Sequence, residues 1–317
     1  MNNRVIIAGG SGFLGQAVAT LLLDRGYTVT ILGRGKSRAA GAMEHLQWDG
    51  STPGDWSQAL DGATAIVNLT GSQINCRHNA ANKREIVRSR VDSVRALGTT
   101  VAASANPPHV FVQASGIGFY GDSGDRLLDE TAPAGRDFIA SVCRQWENAF
   151  HELQLPATRK IVLRIGVVLA RDGGALPLLE KLTRRFLGGA VGNGSQWISW
   201  IHRADLMQIF LAALEQQQLT GTFNATAPEP ETNSRFMRYL RHVLRRPWSP
   251  PVPAPFARTG AWLMGSTGDL ALLSYLALLS YRCVPQRLAA HGFTFQLQNL
   301  EQALRHLYGA HAPARRM

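Results

Sequence analysis

Residues 4–15 read Arg4-Val-Ile-Ile-Ala-Gly9-Gly-Ser11-Gly12-Phe13-Leu14-Gly15. A short β-branched run, Arg4 to Ala8, is followed at once by three glycines spaced G-x-x-G-x-x-G. Phe13 to Arg25 then repeats apolar residues at helical spacing until Gly26, and Thr28 to Leu32 is apolar and β-branched again. The pattern predicts a strand, a helix and a second, parallel strand, because a 2-residue period gives way to a 3.6-residue period and then returns. Each glycine has a separate job in such a unit. Gly9 permits the tight turn, Gly12 lets the main chain approach a pyrophosphate, and Gly15 allows the helix to pack closely on the strand. The start of the helix offers free N–H groups to an anion, so Gly9, Ser11, Gly12, Phe13, Leu14 and Gly15 are the first candidate cofactor residues.

Outward from this unit the alternation continues. Strands are expected at Glu44–Trp48, Ala63–Leu69, His109–Ala114 and Lys160–Ile165, with helices at Asn79–Ser104 and Phe138–Leu153. Such alternation predicts an α/β fold, a Rossmann-like doubly wound parallel sheet covered on both faces. Beyond Val168 the sequence is punctuated by Gly173-Gly174, Gly188-Gly189 and Gly192-Asn-Gly194. A strand is then expected at Trp197–His202, a helix at Ala204–Gln216, and the end of the sheet near Phe223–Ala225. From Pro228 the composition shifts. Pro247, Pro250, Pro251, Pro253 and Pro255 predict a stiff linker, followed by more helix, including a buried one over Leu270–Tyr281, and a last strand at Phe293-Thr-Phe295. The expected organisation is a dinucleotide-binding domain over residues 1–168, to which 197–227 return, a smaller substrate lobe from 169–196 and 228–308, and a tail at 309–317.

The end of the second strand bears on which dinucleotide is bound. A free ribose 2′-hydroxyl is usually held there by an Asp or Glu, whereas this chain has Leu32-Gly33-Arg34-Gly35-Lys36-Ser37-Arg38. Arg34, Lys36 and Arg38 can neutralise a 2′-phosphate and Ser37 can donate to it, which predicts NADP(H) as cofactor. Asn68-Leu69-Thr70-Gly71 ends the next inner strand at the carboxyl edge of the sheet, and its main chain is expected to run along the same ligand.

Composition excludes several classes. The 317-residue chain is 45% hydrophobic and 17% charged, which is globular rather than disordered. Its formal charge of +11 is spread: Arg184-Arg185, Arg245-Arg246 and Arg315-Arg316 are isolated pairs, so no nucleic-acid partner is expected. Leu270 to Tyr281 is too short to span a bilayer, and no membrane association is expected. Cys76, Cys143 and Cys283 form neither a disulfide framework nor a zinc motif, so no metal is expected. With no export signal at Met1-Asn-Asn-Arg, the expected compartment is the cytoplasm and the expected assembly a monomer or homodimer.

Further motifs carry a family resemblance. Ser115-Gly-Ile-Gly-Phe-Tyr120-Gly121-Asp122 after the fifth strand, Trp48-Asp49, Lys83, Ser89-Arg90-Val91, Val142-Cys143, Trp146-Glu147, Leu163-Arg164-Ile-Gly166, Ser199-Trp-Ile-His202-Arg-Ala-Asp205 and Asn224-Ala-Thr-Ala-Pro228 stand together in this order. So arranged, the chain resembles an epimerase-like branch of the extended short-chain dehydrogenase/reductases with a DUF1731 segment at about 250–300. That segment is matched at Val284-Pro285-Gln-Arg-Leu288, Gly292-Phe293-x-Phe295 and Ala303-Leu304, and departs from the pattern over Leu270–Tyr281. The resemblance implies NADP binding and an oxidoreductase or epimerase-like reaction on a small carbonyl or sugar-nucleotide-like substrate, or a binding protein without turnover.

Extended dehydrogenases use a Ser or Thr and a Tyr with a Lys four residues on, the Lys favouring proton exchange by the phenol while hydride moves. Here Ile139 stands at the tyrosine position, Cys143 at the lysine position and Gly116 at the serine position. Ser115, one residue earlier and within reach of the nicotinamide edge of the cofactor, and Tyr120 are the candidate substitutes, although a loop hydroxyl and a packed aromatic are the simpler readings. Trp197, Trp200 and His202 either line a substrate pocket or alternate as ordinary strand residues. Arg164 either meets an anionic substrate or bonds within the protein.

Overall fold

The computed structural model describes residues 3–74, 76–246, 248–253 and 279–309. Its centre is an eight-stranded sheet: β1 (Arg4–Ala8), β2 (Thr28–Gly33), β3 (Arg38–Ala40), β4 (Met43–Gln47), β5 (Ala65–Asn68), β6 (Val110–Gly116), β8 (Arg159–Ile165) and β12 (Gly221–Ala225). The spatial order is β12-β8-β6-β5-β1-β2-β4-β3, and every neighbouring pair is parallel except β3 with β4. The order reverses at β1, with β2 on one side and β5 on the other. That is the switch point outside whose carboxyl ends ligands of open α/β sheets lie.

Both faces of the sheet are covered, which explains why β1 is apolar throughout rather than alternating. Val5 and Ile7 face α1 (Phe13–Asp24) and α5 (Arg203–Glu215) in one core with Val18, Leu22, Leu206 and Phe210. Ile6 and Ala8 face α2 (Ala80–Ala103) and α3 (Phe138–His151) in another with Val94, Leu97, Trp146 and Phe150. Complete burial of side chains of this size is worth roughly 1.5–3 kcal/mol each.

A smaller third core joins α4 (Leu176–Arg184), α6 (Asn233–Val243) and α8 (Leu300–Tyr308) through Leu176, Leu179, Phe236, Leu240, Leu300 and Leu304. Short ladders support it: β9 (Val167–Leu169) beside β11 (Trp200–His202), and β10 (Trp197–Ile198) beside β13 (Glu231–Thr232). A fourth cluster includes β7 (Leu127–Leu128) and β14 (Arg282–Cys283), which pair with each other. The segment after β14 returns to the main sheet, since Leu288 of α7 (Gln286–Ala290) and Phe295 pack into the α1/α5 core.

Several expectations change. The strand predicted over Trp197–His202 is two strands. Ser199 separates them, its hydroxyl shared between the carbonyls of Tyr281 and Cys283, so the halves find different partners. The glycine-punctuated stretch 169–196 contains α4, and β9 ends at its first residue, Leu169. Phe293-Thr-Phe295 is irregular rather than a strand: its rings meet edge to face at 4.8 Å, and the carboxylate of Asp205 takes the next two N–H groups, of Gln296 and Leu297. Most of the helix expected at Leu270–Tyr281 lies outside the described residues. Its last residues, Leu279 to Tyr281, are irregular, and the Tyr281 N–H bonds the Trp197 carbonyl. The expected tail likewise lies outside them beyond Gly309. No described helix is long and apolar enough to cross a membrane.

Candidate functional site

The glycine turn between β1 and α1 forms a cradle that side chains would fill. Gly9 holds φ at +77°, and a Cβ there would stand 2.9 Å from the main chain of Leu69. A Cβ on Gly15 would lie 2.5 Å from the Cα of Gly10. The side chain of Gln16 braces the turn from behind, donating to the Gly10 carbonyl at 3.0 Å. No side chain caps the first turn of α1, whereas α2, α3, α5, α6 and α8 are capped by Asn79, Asp137, His202, Thr232 and Asn299. The first amides of α1 are thus left for an anion.

The rest of the predicted cofactor set gathers around this turn. Ser11 is exposed, and its hydroxyl oxygen is 3.7 Å from where a Cβ on Gly33 would be, at the end of β2. Arg34, Lys36, Ser37 and Arg38 follow, all exposed; the Ser37 oxygen accepts the Gln47 N–H, which leaves its hydroxyl proton free to be donated. Phe13 packs against Gly173 and Gly174, where any Cβ on Gly173 would strike the ring, and Arg203 lies over it at 5.8 Å. The cradle is therefore closed on one side by the Gly173-Gly174 segment that leads into α4.

Asn68 turns inward. Its Oδ1 accepts from the Thr70 N–H at 3.0 Å and its Nδ2 donates to Gln113 and Ser93, so the residue shapes the strand-end loop and leaves only main chain for a ligand. The Thr70 hydroxyl is buried in that loop without a hydrogen-bond partner. Such a group points to a missing polar neighbour. The cradle, the uncapped helix, the unpartnered Thr70 hydroxyl and the carboxylate-free cationic edge all fit a phosphorylated dinucleotide.

At the carboxyl ends of β6, β8 and β12 lies a buried polar chain. Ser115 donates to Glu147 Oε1 at 2.6 Å. Arg164 grips both oxygens of Glu147, with Nε at 3.0 Å from Oε1 and Nη2 at 2.8 Å from Oε2. Arg164 Nη1 donates to the Tyr120 hydroxyl at 2.9 Å, and that hydroxyl donates to Asn224 Oδ1 at 2.6 Å. Asn224 Nδ2 donates in turn to the Val284 carbonyl, which ties the sheet to the C-terminal segment. The Phe119 ring covers the guanidinium at 3.4 Å.

This placement settles how several predicted residues are used. Arg164 is spent inside the protein, and Tyr120, 1% exposed, is a link in the chain; burial drives its phenol well above the ordinary range, against the smaller opposing influence of Arg164. Trp200 is buried with its indole N–H on the Glu229 carbonyl, and His202 caps α5 by accepting the Ala204 N–H. Burial, helped by His306 and Arg203, lowers the His202 imidazole to about 4, so it is neutral. Trp197 stays half-exposed, its N–H on Asp125 and the Arg282 guanidinium 4.3 Å over its ring. Cys143 is an inert buried thiol, pushed up by burial to about 11. Among the described residues no cluster can hold a metal ion. Glu147 and Asn224 stood in the motifs quoted above without a role, because only three-dimensional proximity gives them one.

The fold and the glycine cradle define a Rossmann-type dinucleotide-binding architecture of the extended dehydrogenase kind. The chain belongs to the NAD dependent epimerase/dehydratase family, whose profile matches residues 5–225, and a domain of unknown function, DUF1731, matches residues 252–307. Among its relatives is the "Epimerase family protein SDR39U1 homolog, chloroplastic" of Arabidopsis thaliana, 34% identical over 95% of this chain and 85% of that protein. The solved structure of the human epimerase family protein SDR39U1 with NADPH superimposes with a TM-score of 0.84 at 30% identity, covering 96% of this chain and 99% of that one. A nucleoside-diphosphate sugar epimerase from Corynebacterium glutamicum gives 0.78 at 33% identity, over 98% of this chain but 59% of its own length.

Proposed function

We propose that this protein binds NADP(H) and uses it to oxidise or reduce a small carbonyl or sugar-nucleotide-like compound. One observation carries the cofactor part of this reading: the edge beside the glycine cradle presents Arg34, Lys36 and Arg38 and no carboxylate, the charge pattern for a ribose 2′-phosphate. The amides at the start of α1 would hold the pyrophosphate, Ser11 and Ser37 would serve the adenosine ribose, and the main chain of Leu69 to Gly71 would line the other half of the cofactor. The human relative of the same fold, solved with NADPH, supports the reading.

When bound, the cofactor supplies or accepts hydride. The protein must then manage one proton at the substrate oxygen. We assign that contact to Ser115, the last residue but one of β6, because its bond to Glu147 gives a proton taken from a substrate hydroxyl somewhere to go. Tyr120 acts at a distance as a positioning residue that holds Arg164.

The test is a panel of carbonyl and sugar-nucleotide compounds followed by NADPH absorbance, with Ser115→Ala and Tyr120→Phe beside the parent. Turnover lost in Ser115→Ala and largely kept in Tyr120→Phe supports the assignment; the reverse pattern overturns it. A second reading, an NADP(H)-binding regulator without turnover, draws support from Ile139 and Cys143 standing where a Tyr–Lys pair is usual. Saturable NADPH binding with silence across the whole panel favours that reading.

A further inference from the structure

The helices α4 and α6 end in the same way. After α4 the Phe186 N–H bonds the Thr183 carbonyl and the Leu187 N–H the Leu182 carbonyl; after α6 the N–H groups of Arg245 and Arg246 bond the carbonyls of His242 and Arg241. This double closure puts one residue in the left-handed region, where glycine is the usual occupant. Here the residues are Phe186, with φ at +60°, and Arg245, with φ at +56°. Among the described residues no other non-glycine residue has a positive φ. A bulky side chain in such a position costs stability, and strain of this kind gathers where a residue serves something other than folding.

The two helix ends lie side by side. Arg246 Nε donates to the Arg184 carbonyl at 3.2 Å, and its guanidinium stands 5.2 Å from the centre of the Phe186 ring. The Gly188 N–H donates to Ser249 Oγ at 3.0 Å, and Arg241 Nη1 donates to the Gly188 carbonyl at 2.8 Å. These bonds stitch residues 184–188 to 241–249 and bring Phe186, Leu187 and Trp248 onto one surface. They are 49%, 54% and 68% exposed, and Leu127 is the only other large apolar side chain so exposed among the described residues.

The surroundings are cationic. Lys181, Arg184, Arg185 and Arg245 are exposed, and Arg246 is half-buried beside Phe186. Glu180 is the one carboxylate in residues 176–188 and 238–249, and Arg184 and the Tyr308 hydroxyl already occupy it. Lys181, Arg185, Arg245 and Arg246 form no ion pair among the described residues.

This charge selects the occupant. A second copy of the chain would bring like charges face to face. A nucleic-acid strand needs open ring faces on which bases stack, but Arg246 takes one face of Phe186 and Leu187 offers no ring. Tryptophan, phenylalanine and leucine ringed by arginine suit the boundary of a bilayer, with the apolar groups among the upper acyl chains and the guanidinium groups at the phosphates.

We propose that the Phe186–Leu187 turn and Trp248 form a peripheral docking surface for an anionic phospholipid bilayer, the surrounding arginines meeting its headgroups. This departs from the expectation of no membrane association, which followed from the missing span. The want of a spanning helix among the described residues concerns crossing a bilayer, whereas contact with its surface needs none. The proposal is independent of the cofactor reading.

The test sediments the full chain with vesicles of phosphatidylcholine alone and with vesicles containing about one-third phosphatidylglycerol. The parent should favour the anionic vesicles about tenfold or more, and added salt should weaken the binding. Phe186→Gly with Leu187→Ser, and separately Arg185→Glu with Arg245→Glu, should each lower that binding about tenfold or more. Leu127→Ser should bind as the parent does. Phe186→Gly alone should bind more weakly while its thermal midpoint holds or rises, since glycine relieves the left-handed position; its loss of binding is then not a loss of fold. Tryptophan emission should shift to the blue on anionic vesicles, and less so in Trp248→Phe. No binding to either vesicle, equal binding to both, full binding by the Phe186→Gly, Leu187→Ser variant or an equal loss in Leu127→Ser would overturn the proposal. So would a chain that ignores vesicles but binds a single-stranded oligonucleotide or itself through the same residues, or a Trp248 already shielded from iodide in the free chain.

Discussion

Arg164 and Glu147 form a two-pronged ion pair with both side chains almost wholly out of water, 7% and 4% exposed. The pair sits where the carboxyl ends of β6 and β8 meet α3, and Ser115, Tyr120 and Phe119 close around it. Cutting one member leaves a buried charge. Glu147→Ala should therefore cost about 3–5 kcal/mol of stability by urea denaturation, and replacing both members, as in Glu147→Leu with Arg164→Met, should recover most of that loss. A double variant less stable than the single one would show that the pair is favourable in its own right.

The cradle makes a steric prediction. Gly15→Ala forces a methyl group to within 2.5 Å of the Gly10 Cα and 2.6 Å of the Gly9 carbonyl oxygen, both main-chain atoms with no room to retreat. The turn must open, so NADPH affinity should fall at least tenfold and thermal stability should fall with it. Gly35→Ala meets nothing within 4 Å and serves as the control, expected to retain parental stability.

The His202 cap predicts an acid limb of stability. The ring is neutral in the fold, with Nδ1 accepting the Ala204 N–H and Nε2 3.3 Å from His306 Nδ1, and its pKa is lowered from 6.5 to about 4. The unfolded chain binds the proton more readily, so this contribution is complete above pH 6.5 and is lost as pH falls toward 4. Its size is at most about 3 kcal/mol. Thermal midpoints recorded from pH 7 to 4 should decline less steeply in His202→Asn, whose amide oxygen can take over the cap without titrating. Parallel declines would contradict the assignment.

The architecture was readable where the chain obeys one period for long enough. The β1–α1–β2 unit, α2, α3, α5 and the inner strands occupy the expected stretches to within a few residues, since burial on both sheet faces writes continuous apolar runs into them. The two- and three-residue ladders β7, β9, β13 and β14 left no such trace, nor did the break between β10 and β11. Their pairing is decided by distant partners: Ser199, for example, splits β10 from β11 only because residues 281 and 283 arrive beside it.

The cofactor cradle was equally legible, because local sequence alone sets the turn, the free helix end and the cationic loop. The inner polar chain was not. Ser115, Tyr120, Glu147, Arg164 and Asn224 come from five separate elements, and whether Tyr120 faces a cleft or Arg164 depends on where each strand ends in space. Arg90 stood in plain view in Ser89-Arg90-Val91, yet nothing in that tripeptide says that its guanidinium is buried against Trp146.

The phosphate-selective cofactor site is tested most directly by titrating the purified chain with NADPH and NADH, and repeating both titrations with Arg34→Ala. Saturable binding that favours NADPH in the parent, with a preference reduced about tenfold or more in the variant, is the predicted result, since a charge-assisted contact to phosphate is worth that much. No saturable NADPH signal, or an NADPH/NADH ratio untouched by Arg34→Ala, would contradict it.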